Sequence, residues 1–323
     1  MNARTNHRFR TWLARGSAAL ALVAFAGVAS SVGPTPASAN TQSSSDANAS
    51  LPETIVLTGI ARDFRERSVT SGHPDFERQP TRGFGHYVGL ASDTLDADGK
   101  PTLATTGYKV TAQAQDANRR NIMPVTKPYI ASRQGDTRGT LETQLGGAVV
   151  SAQSFAQWYR DVPGVNVSTT VPITLRRQPG TNIYTFDDKS DSLYRSRSGF
   201  FPINGQLFGN SGGGGVANTN YHFTYELTTK FTYKRGSGQV FTFAGDDDVF
   251  VYVDGRLVID LGGVHGAISQ TIDLDRLTWL NDNQEYELKL FFTERHRTQS
   301  NMRIDTTLTL RSADLPATSA LFD

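Results

Sequence analysis

The chain has 323 residues, 37% hydrophobic and 20% charged, with a formal net charge of +1 and no cysteine. That is an ordinary globular composition, long enough to bury a sizeable core without cross-links. The missing cysteines exclude a disulfide framework, a thiolate metal site and a catalytic thiol.

Residues 1–39 read as an export leader. Arg4, Arg8, Arg10 and Arg15 make a basic start, and Ser17–Ala29 is an apolar, alanine-rich run. Pro34 and Pro36 break that run before Ala37-Ser38-Ala39, a small-x-small cleavage site that places the cut after Ala39. Four arginines and no acid leave with this segment, so the remaining chain is weakly acidic at −3. Such a balance gives no general attraction to nucleic acid. The expectation is a secreted or cell-surface protein with no later transmembrane segment.

Asn40–Ser50 is a polar linker. Thr54–Ile60 reads as the first strand, and Ala61–Asn121 as turn-rich loops with embedded aromatic residues. Ser151–Asp161 is the helix candidate: Phe155, Trp158 and Tyr159 form one apolar stripe, Ser151 can cap the start, and Pro163-Gly164 ends it. A packing role suits that stripe better than a ligand role. Val171–Leu175 and Ile183–Phe186 are short strands around a Gln178-Pro179-Gly180 turn. Ser211–Gly215 is a flexible loop, with no following lysine and helix to make it a phosphate cradle.

From here the pattern is strongly β. Tyr221, Phe223, Tyr225 and Leu227 alternate with polar residues, as do Tyr286, Leu288, Leu290 and Phe292. Met302, Ile304, Thr306, Leu308 and Leu310 make the last alternating run. Short alternating strands with Gly and Asn turns predict an all-β fold, an antiparallel β-sandwich with long loops and one short helix, over residues 51–311. Residues 312–323 read as a flexible tail.

The chemistry concentrates at Asp246, Asp247 and Asp248. They lie between Phe241/Phe243 and a strand carrying Val249, Val251 and Val253 on one face. Asp254-Gly255 is then a two-residue type I′ turn, since both positions tolerate φ > 0, and Leu257–Ile259 returns as the partner strand. Aspartates in a loop offer hard oxygen ligands that suit Ca²⁺. Neighbouring side chains of a regular strand point to opposite faces, so two consecutive aspartates converge only if the backbone departs from it. A cis peptide is one such departure. The residue types leave two readings open, an ion site and a solvated acidic loop. The loop Thr293–Asn301 could complete a site with Glu294, His296 or Asn301, although a salt-bridged or hydrogen-bonded turn is the simpler account of Glu294 and His296. His265, after Gly262-Gly263, reads by itself as a structural histidine. No catalytic constellation stands out, and the chain is expected not to be an enzyme.

The run Gly245-Asp-Asp-Asp-Val249, followed by Val253-Asp-Gly-Arg-Leu-Val-Ile-Asp-Leu-Gly-Gly-Val-His265, resembles the fibro-slime domain family. So do Thr58-Gly-Ile-Ala-Arg-Asp-Phe64, His73-Pro-Asp-Phe-Glu77, Phe155–Asn166, Phe201-Pro-Ile-Asn-Gly205, Asn220-Tyr-His-Phe-Thr224 and Glu294-Arg-His296. Coverage runs from about Leu57 to Arg311. That family is related to the lectin-like β-sandwich of anthrax protective antigen, found also in flocculins and adhesins. The resemblance implies Ca²⁺ held by two consecutive aspartates joined through a cis peptide, with sugar hydroxyls on the ion and an asparagine from a later loop assisting. Carried onto this chain, the metal ligands are Asp246, Asp247, Asp248 and Asn301. The ligand-binding set is Asp246, Asp247, His265, Glu294 and Asn301. Asp248 stands where many relatives have glycine. The function implied is calcium-dependent carbohydrate binding in adhesion or extracellular matrix. The alternatives are a structural matrix protein whose calcium site only stabilises it and, further off, a glycoside hydrolase.

Overall fold

The computed structural model describes Asn48 and residues 50–124, 126–211 and 218–313. The leader and almost all of the linker and tail expected from the sequence lie outside these residues, as do all but the first residue of the Ser211–Gly215 loop.

Ten strands form one continuous antiparallel sheet: β1 (Thr54–Phe64), β2 (Asn166–Arg177), β3 (Tyr184–Asp187), β4 (Phe223–Thr232), β5 (Val240–Gly245), β6 (Asp248–Val253), β7 (Arg256–Leu261), β8 (Ile268–Asp273), β9 (Glu285–Glu294) and β10 (Met302–Thr306). Their spatial order is β7-β6-β9-β4-β1-β2-β3-β10-β5-β8, and Arg311–Ser312 adds a short pairing on β4. β1 and β2 pair along their full length, from Thr54 opposite Arg176 to Phe64 opposite Asn166. The expected all-β antiparallel architecture is present. Its two layers are the two arms of this one sheet, curled so that their inner faces meet. The Asp260 amide at one end of the order donates to the Gln270 side-chain oxygen at the other end (2.8 Å).

Alternation explains the core. Leu57, Ile173, Phe186, Phe241, Phe243 and Ile304 face inward from one arm, and Tyr225, Leu227, Val249, Val251, Leu290 and Phe292 from the other. All six residues of β6 are buried, because its outer face is covered too. There Phe250, Tyr252 and Phe291 pack against Tyr87, Leu90, Phe155, Trp158 and Tyr159. The aromatic stripe read from the sequence is therefore core. Its helix is shorter than expected: only Ala152–Phe155 is helical, with Ser151 as the N-cap in a capping box with Ser154. A second short helix, Ser192–Ser196 capped by Asp191, was not foreseen, nor was the 3-10 turn at Leu274–Arg276. The expected loop region 61–121 also holds short strands, with Tyr87–Val88 and Tyr108–Ala112 pairing beside Thr140–Leu145 in a small sheet. Asp254 and Gly255 both have positive φ (50° and 72°), as the type I′ hairpin between β6 and β7 requires.

The residues before β2 are fastened to the sheet by polar contacts as well as apolar ones. Trp158 is fully buried and donates its indole N–H to Asp75 Oδ2 (3.1 Å), while Asp75 Oδ1 accepts the Val150 amide (2.7 Å). Arg62, buried in β1, pairs with Asp161 (2.8 Å) and Glu226 (3.0 Å). An indole and a guanidinium tolerate such depth because each polar atom finds a partner.

Candidate functional site

The chain leaves β5 at Gly245 and enters β6 at Asp248, so Asp246-Asp247 is the step between the two arms of the sheet. The departure from a regular strand takes a form other than the one the resemblance implies. Among the described residues there is no cis peptide; Asp247 instead adopts φ +53°. That left-handed residue breaks the two-residue alternation, and both aspartates line one cavity of about 250 Å³. Gly245 is required beside them, since a Cβ there would overlap the Asn301 carbonyl oxygen.

Two loops bring further acids and the expected asparagine to this step. Asn301 precedes β10 and caps Asp246: its backbone N–H donates to Oδ1 and its side-chain amide to Oδ2 (2.6 Å). Glu294, the last residue of β9, is fully buried, and its Oε2 has no hydrogen-bond partner. Asp188, just past β3, is buried and accepts the Met302 amide (3.1 Å).

The electrostatics record crowding. Burial pushes the Glu294 carboxyl well above its usual range, and the neighbouring Asp247 and Asp246 carboxyls push it further. Asp247 is raised by burial and by Asp248 and Asp246, against the pull of Arg295. Asp246 is raised by burial, with the Asn301 donors holding it back. Asp188 is pushed up to about 6 by burial, with Asp187 and Asp246 adding to the rise. Asp246, Asp247 and Glu294 thus crowd one another, and Asp246 bears on Asp188 as well. The donor set is hard oxygen, Glu294 Oε2 is buried without a hydrogen-bond partner, and a cavity opens beside Asp246 and Asp247. These are the features a divalent cation such as Ca²⁺ would satisfy.

Asp248, expected among the metal ligands, is engaged elsewhere. Its Oδ2 takes the Arg295 Nε–H (2.6 Å) and its Oδ1 the Gly263 amide (2.5 Å), with both side chains of the ion pair fully buried. Arg295 lies over the Trp158 ring (5.4 Å) and also donates its backbone N–H to Asp247 Oδ2 (3.0 Å). Asp248 is therefore the anchor of a buried guanidinium. His265, expected in the ligand-binding set, lines the cavity with its ring engaged by the protein. Its Nδ1 faces the Gly266 carbonyl (2.9 Å), its ring meets His86 edge-on (5.7 Å), and burial lowers its pKa. It shapes the cavity wall, and its carbonyl accepts the Asp247 amide (3.4 Å). The structure thus brings Asp246, Asp247, Glu294 and Asn301 together and leaves Asp248 and His265 in supporting places.

Sequence reasoning missed Asp188 and Arg295. Arg295 had a readable signal, a cation directly after an apolar strand and opposite a run of three acids. Asp188 had none, since its neighbour Asp187 is of the same type and pairs with Arg303 at the surface (2.7 Å).

Comparison with known proteins finds a family match over part of the chain. Residues 178–320 match the PA14 domain. The matched stretch contains the acidic step and the Asn301 loop but neither β1 nor β2. Among curated proteins, the chain is similar to three from Dictyostelium discoideum. Protein psiQ is 33% identical over 198 residues, covering 58% of this chain and 19% of that protein. Protein psiD is 40% identical over 171 residues, covering 51% and 31%. Protein psiE is 30% identical over 243 residues, covering 73% and 41%. The chain thus spans well under half the length of each of these three. Among solved structures, partial overlaps include the PA14 domain of the MpAFP antifreeze protein (8% identity, TM-score 0.22, 31% of this chain and 58% of that one). A PA14 sugar-binding domain from an RTX adhesin overlaps similarly (12% identity, TM-score 0.21, 29% and 54%).

Proposed function

We propose that this chain is a secreted calcium-dependent carbohydrate-binding protein acting in adhesion or extracellular matrix. The observation that carries the reading is the cluster of Asp246, Asp247 and Glu294 beside an open cavity, with Glu294 Oε2 buried and unpartnered. Asp246 and Asp247 would hold Ca²⁺, with Asn301 and Glu294 available as further oxygen donors. When bound, the ion would supply open coordination positions that vicinal sugar hydroxyls fill in place of water. The chain's own part is to keep the two carboxylates on one side through the left-handed Asp247. It also blocks the Asp248 charge with Arg295 and walls the cavity with His265 and the loop after β9.

The PA14 match supports carbohydrate as the ligand class, and the motifs shared with the fibro-slime group extend that reading over residues 57–177. The leader-like residues 1–39 support export. Among the described residues, no helix is long and apolar enough to cross a membrane. Single sites of this kind bind weakly, so clustering of copies would set the working affinity.

The test is a glycan array probed with and without chelator, using wild type and Asp247→Ala, alongside thermal melting with Ca²⁺. Binding lost with chelator and with the variant is the expected result. A calcium-dependent rise in melting temperature without any glycan binding would instead establish the structural matrix role. Glycan binding indifferent to chelator would remove the ion from the mechanism.

A further inference from the structure

We propose that Phe84 is the apolar platform of the carbohydrate site, and that the ligand is a terminal pyranose with a C–H face beside its vicinal diol. This rests on the carbohydrate reading above and adds a residue from outside the matched stretch 178–320.

A lone exposed phenylalanine says nothing by itself. Phe84 is informative because of where it is and how it is held. It is 45% exposed, in a region where Tyr87, Phe155 and Trp158 are all buried. It lines the same cavity as Asp246 and Asp247. Its backbone is pinned on both sides: the Gly83 amide donates to the Pro80 carbonyl (2.9 Å) and the Gly85 amide to the Val264 carbonyl (2.7 Å). The second bond ties it to the loop carrying His265. The ring meets the His296 imidazole at 4.8 Å and 66°, and His296 Nε2 is itself within 3.5 Å of Glu77. A ring fixed in this way loses little freedom when a ligand covers it.

The chemistry is complementary. A pyranose is polar around its rim and apolar where axial hydrogens gather on one face. Those hydrogens carry partial positive charge and favour the negative face of an aromatic ring. Hydroxyls directed at Asp246 and Asp247 would leave such a face for the opposite wall, which Phe84 supplies. Thr298 and Gln299, exposed on the same cavity, can bond the remaining hydroxyls. A cavity of about 250 Å³ falls at the small end of ligand pockets, which suits one terminal sugar rather than a stretch of chain.

The experiment uses the full chain with Ca²⁺. An array of glycans ending in single pyranoses identifies a binder, which is then titrated calorimetrically against wild type, Phe84→Ala, Phe84→Trp and Asp247→Asn; Ca²⁺ alone is titrated in parallel. Phe84→Ala is expected to weaken the sugar about tenfold with Ca²⁺ affinity unchanged. Phe84→Trp is expected to keep binding and to report it by indole fluorescence, and Asp247→Asn to lose both ligands. Sugar affinity of Phe84→Ala within twofold of wild type, while Asp247→Asn abolishes binding, overturns the role of Phe84 and leaves the carbohydrate reading intact. A parallel loss of Ca²⁺ affinity in Phe84→Ala also overturns it, because the ring would then be supporting the ion site. No binding by wild type anywhere on the array sinks both.

Discussion

Two acidic clusters lie on either side of the segment that follows β9, and they are built in opposite ways. In the first, Glu66, Glu77 and His222 bring ligand-type atoms within 4.8 Å of one another, the spacing of a metal site. Arg297 already fills it, with its guanidinium 2.7 Å from Glu66 and 3.1 Å from Glu77. Burial alone would raise both acids, but Ser68 and Arg297 outweigh it at Glu66. The His222 ring and the Arg297 amide do so at Glu77, so both carboxyls lie below their usual range. In the second cluster Asp246, Asp247 and Glu294 are raised instead. The buried guanidinium nearest to them, Arg295, is committed to Asp248. Residue type does not distinguish the clusters. The alternation along Glu294-Arg295-His296-Arg297 does, by sending one cation to each neighbour and an acid to the remaining corner.

The contrast can be broken most violently at Arg295. Arg295→Met strands the Asp248 charge in a dry interior and is expected to cost about 3–5 kcal/mol in a urea unfolding series. Adding Asp248→Asn should return part of that loss, and a double variant no better than the single one would show that the pairing is not what matters. Asp260, outside both clusters, gives a control of about 2–4 kcal/mol. It is fully buried with Oδ1 unpartnered, and burial pushes its pKa up to about 7. A folded pKa above the unfolded one gives stability that is complete below about pH 4 and gone once pH has risen through about 7. Asp260→Asn should therefore melt higher than wild type at pH 8 and lose that advantage at pH 4, as followed by calorimetry.

Glu294→Gln addresses the raised cluster directly. Without calcium it should gain roughly 1–3 kcal/mol at neutral pH, because the raised carboxyls lose stability as pH rises. It should also lose the upward shift in melting temperature on adding Ca²⁺. Equal calcium shifts in wild type and variant would remove Glu294 from the ion's surroundings. The mildest change is at Arg297, where the ion pairs are partly exposed. Arg297→Ala is expected to cost about 1 kcal/mol. It should also convert the first cluster into a Zn²⁺ site of two carboxylates and a histidine, detectable as a zinc-dependent thermal shift absent from wild type. Glu66 and Glu77, lowered in the fold, should make this region weaken as pH falls, opposite to its neighbour.

Much of this was legible in the residues. The alternation gave strands at Phe223–Leu227, Tyr286–Phe292 and Met302–Thr306, whose inner faces are largely apolar in period two, whereas Tyr221, Leu308 and Leu310 are buried outside the strands. The acidic step and Asn301 stood out by spacing and resemblance. β1 and β2 run longer than the apolar pattern suggested, because their ends are buried through polar groups. Arg62 is stabilised by Asp161 and Glu226 from distant segments, and Ser168 by Asp161 (2.9 Å). Such pairs leave no periodic trace. The Ser151–Asp161 helix stopped at Phe155, and beyond it Trp158 is fixed by Asp75 in the loop after β1 and Tyr159 by the Thr293 hydroxyl of β9 (2.6 Å to the Tyr159 hydroxyl). The turn at Asp247 was the least readable feature, since a positive φ at aspartate is a local choice made by its surroundings.

The covering of β6 on both faces has a consequence for where this unit can be cut. A fragment limited to residues 178–320 would keep the acidic step but lose β1 and β2 from the middle of the sheet. It would also uncover Phe250, Tyr252 and Phe291. The stretch that matches the PA14 domain and the piece of chain able to fold by itself are therefore different lengths. A graft of this site onto another protein would have to carry the region from Thr54 onward, aromatic layer included.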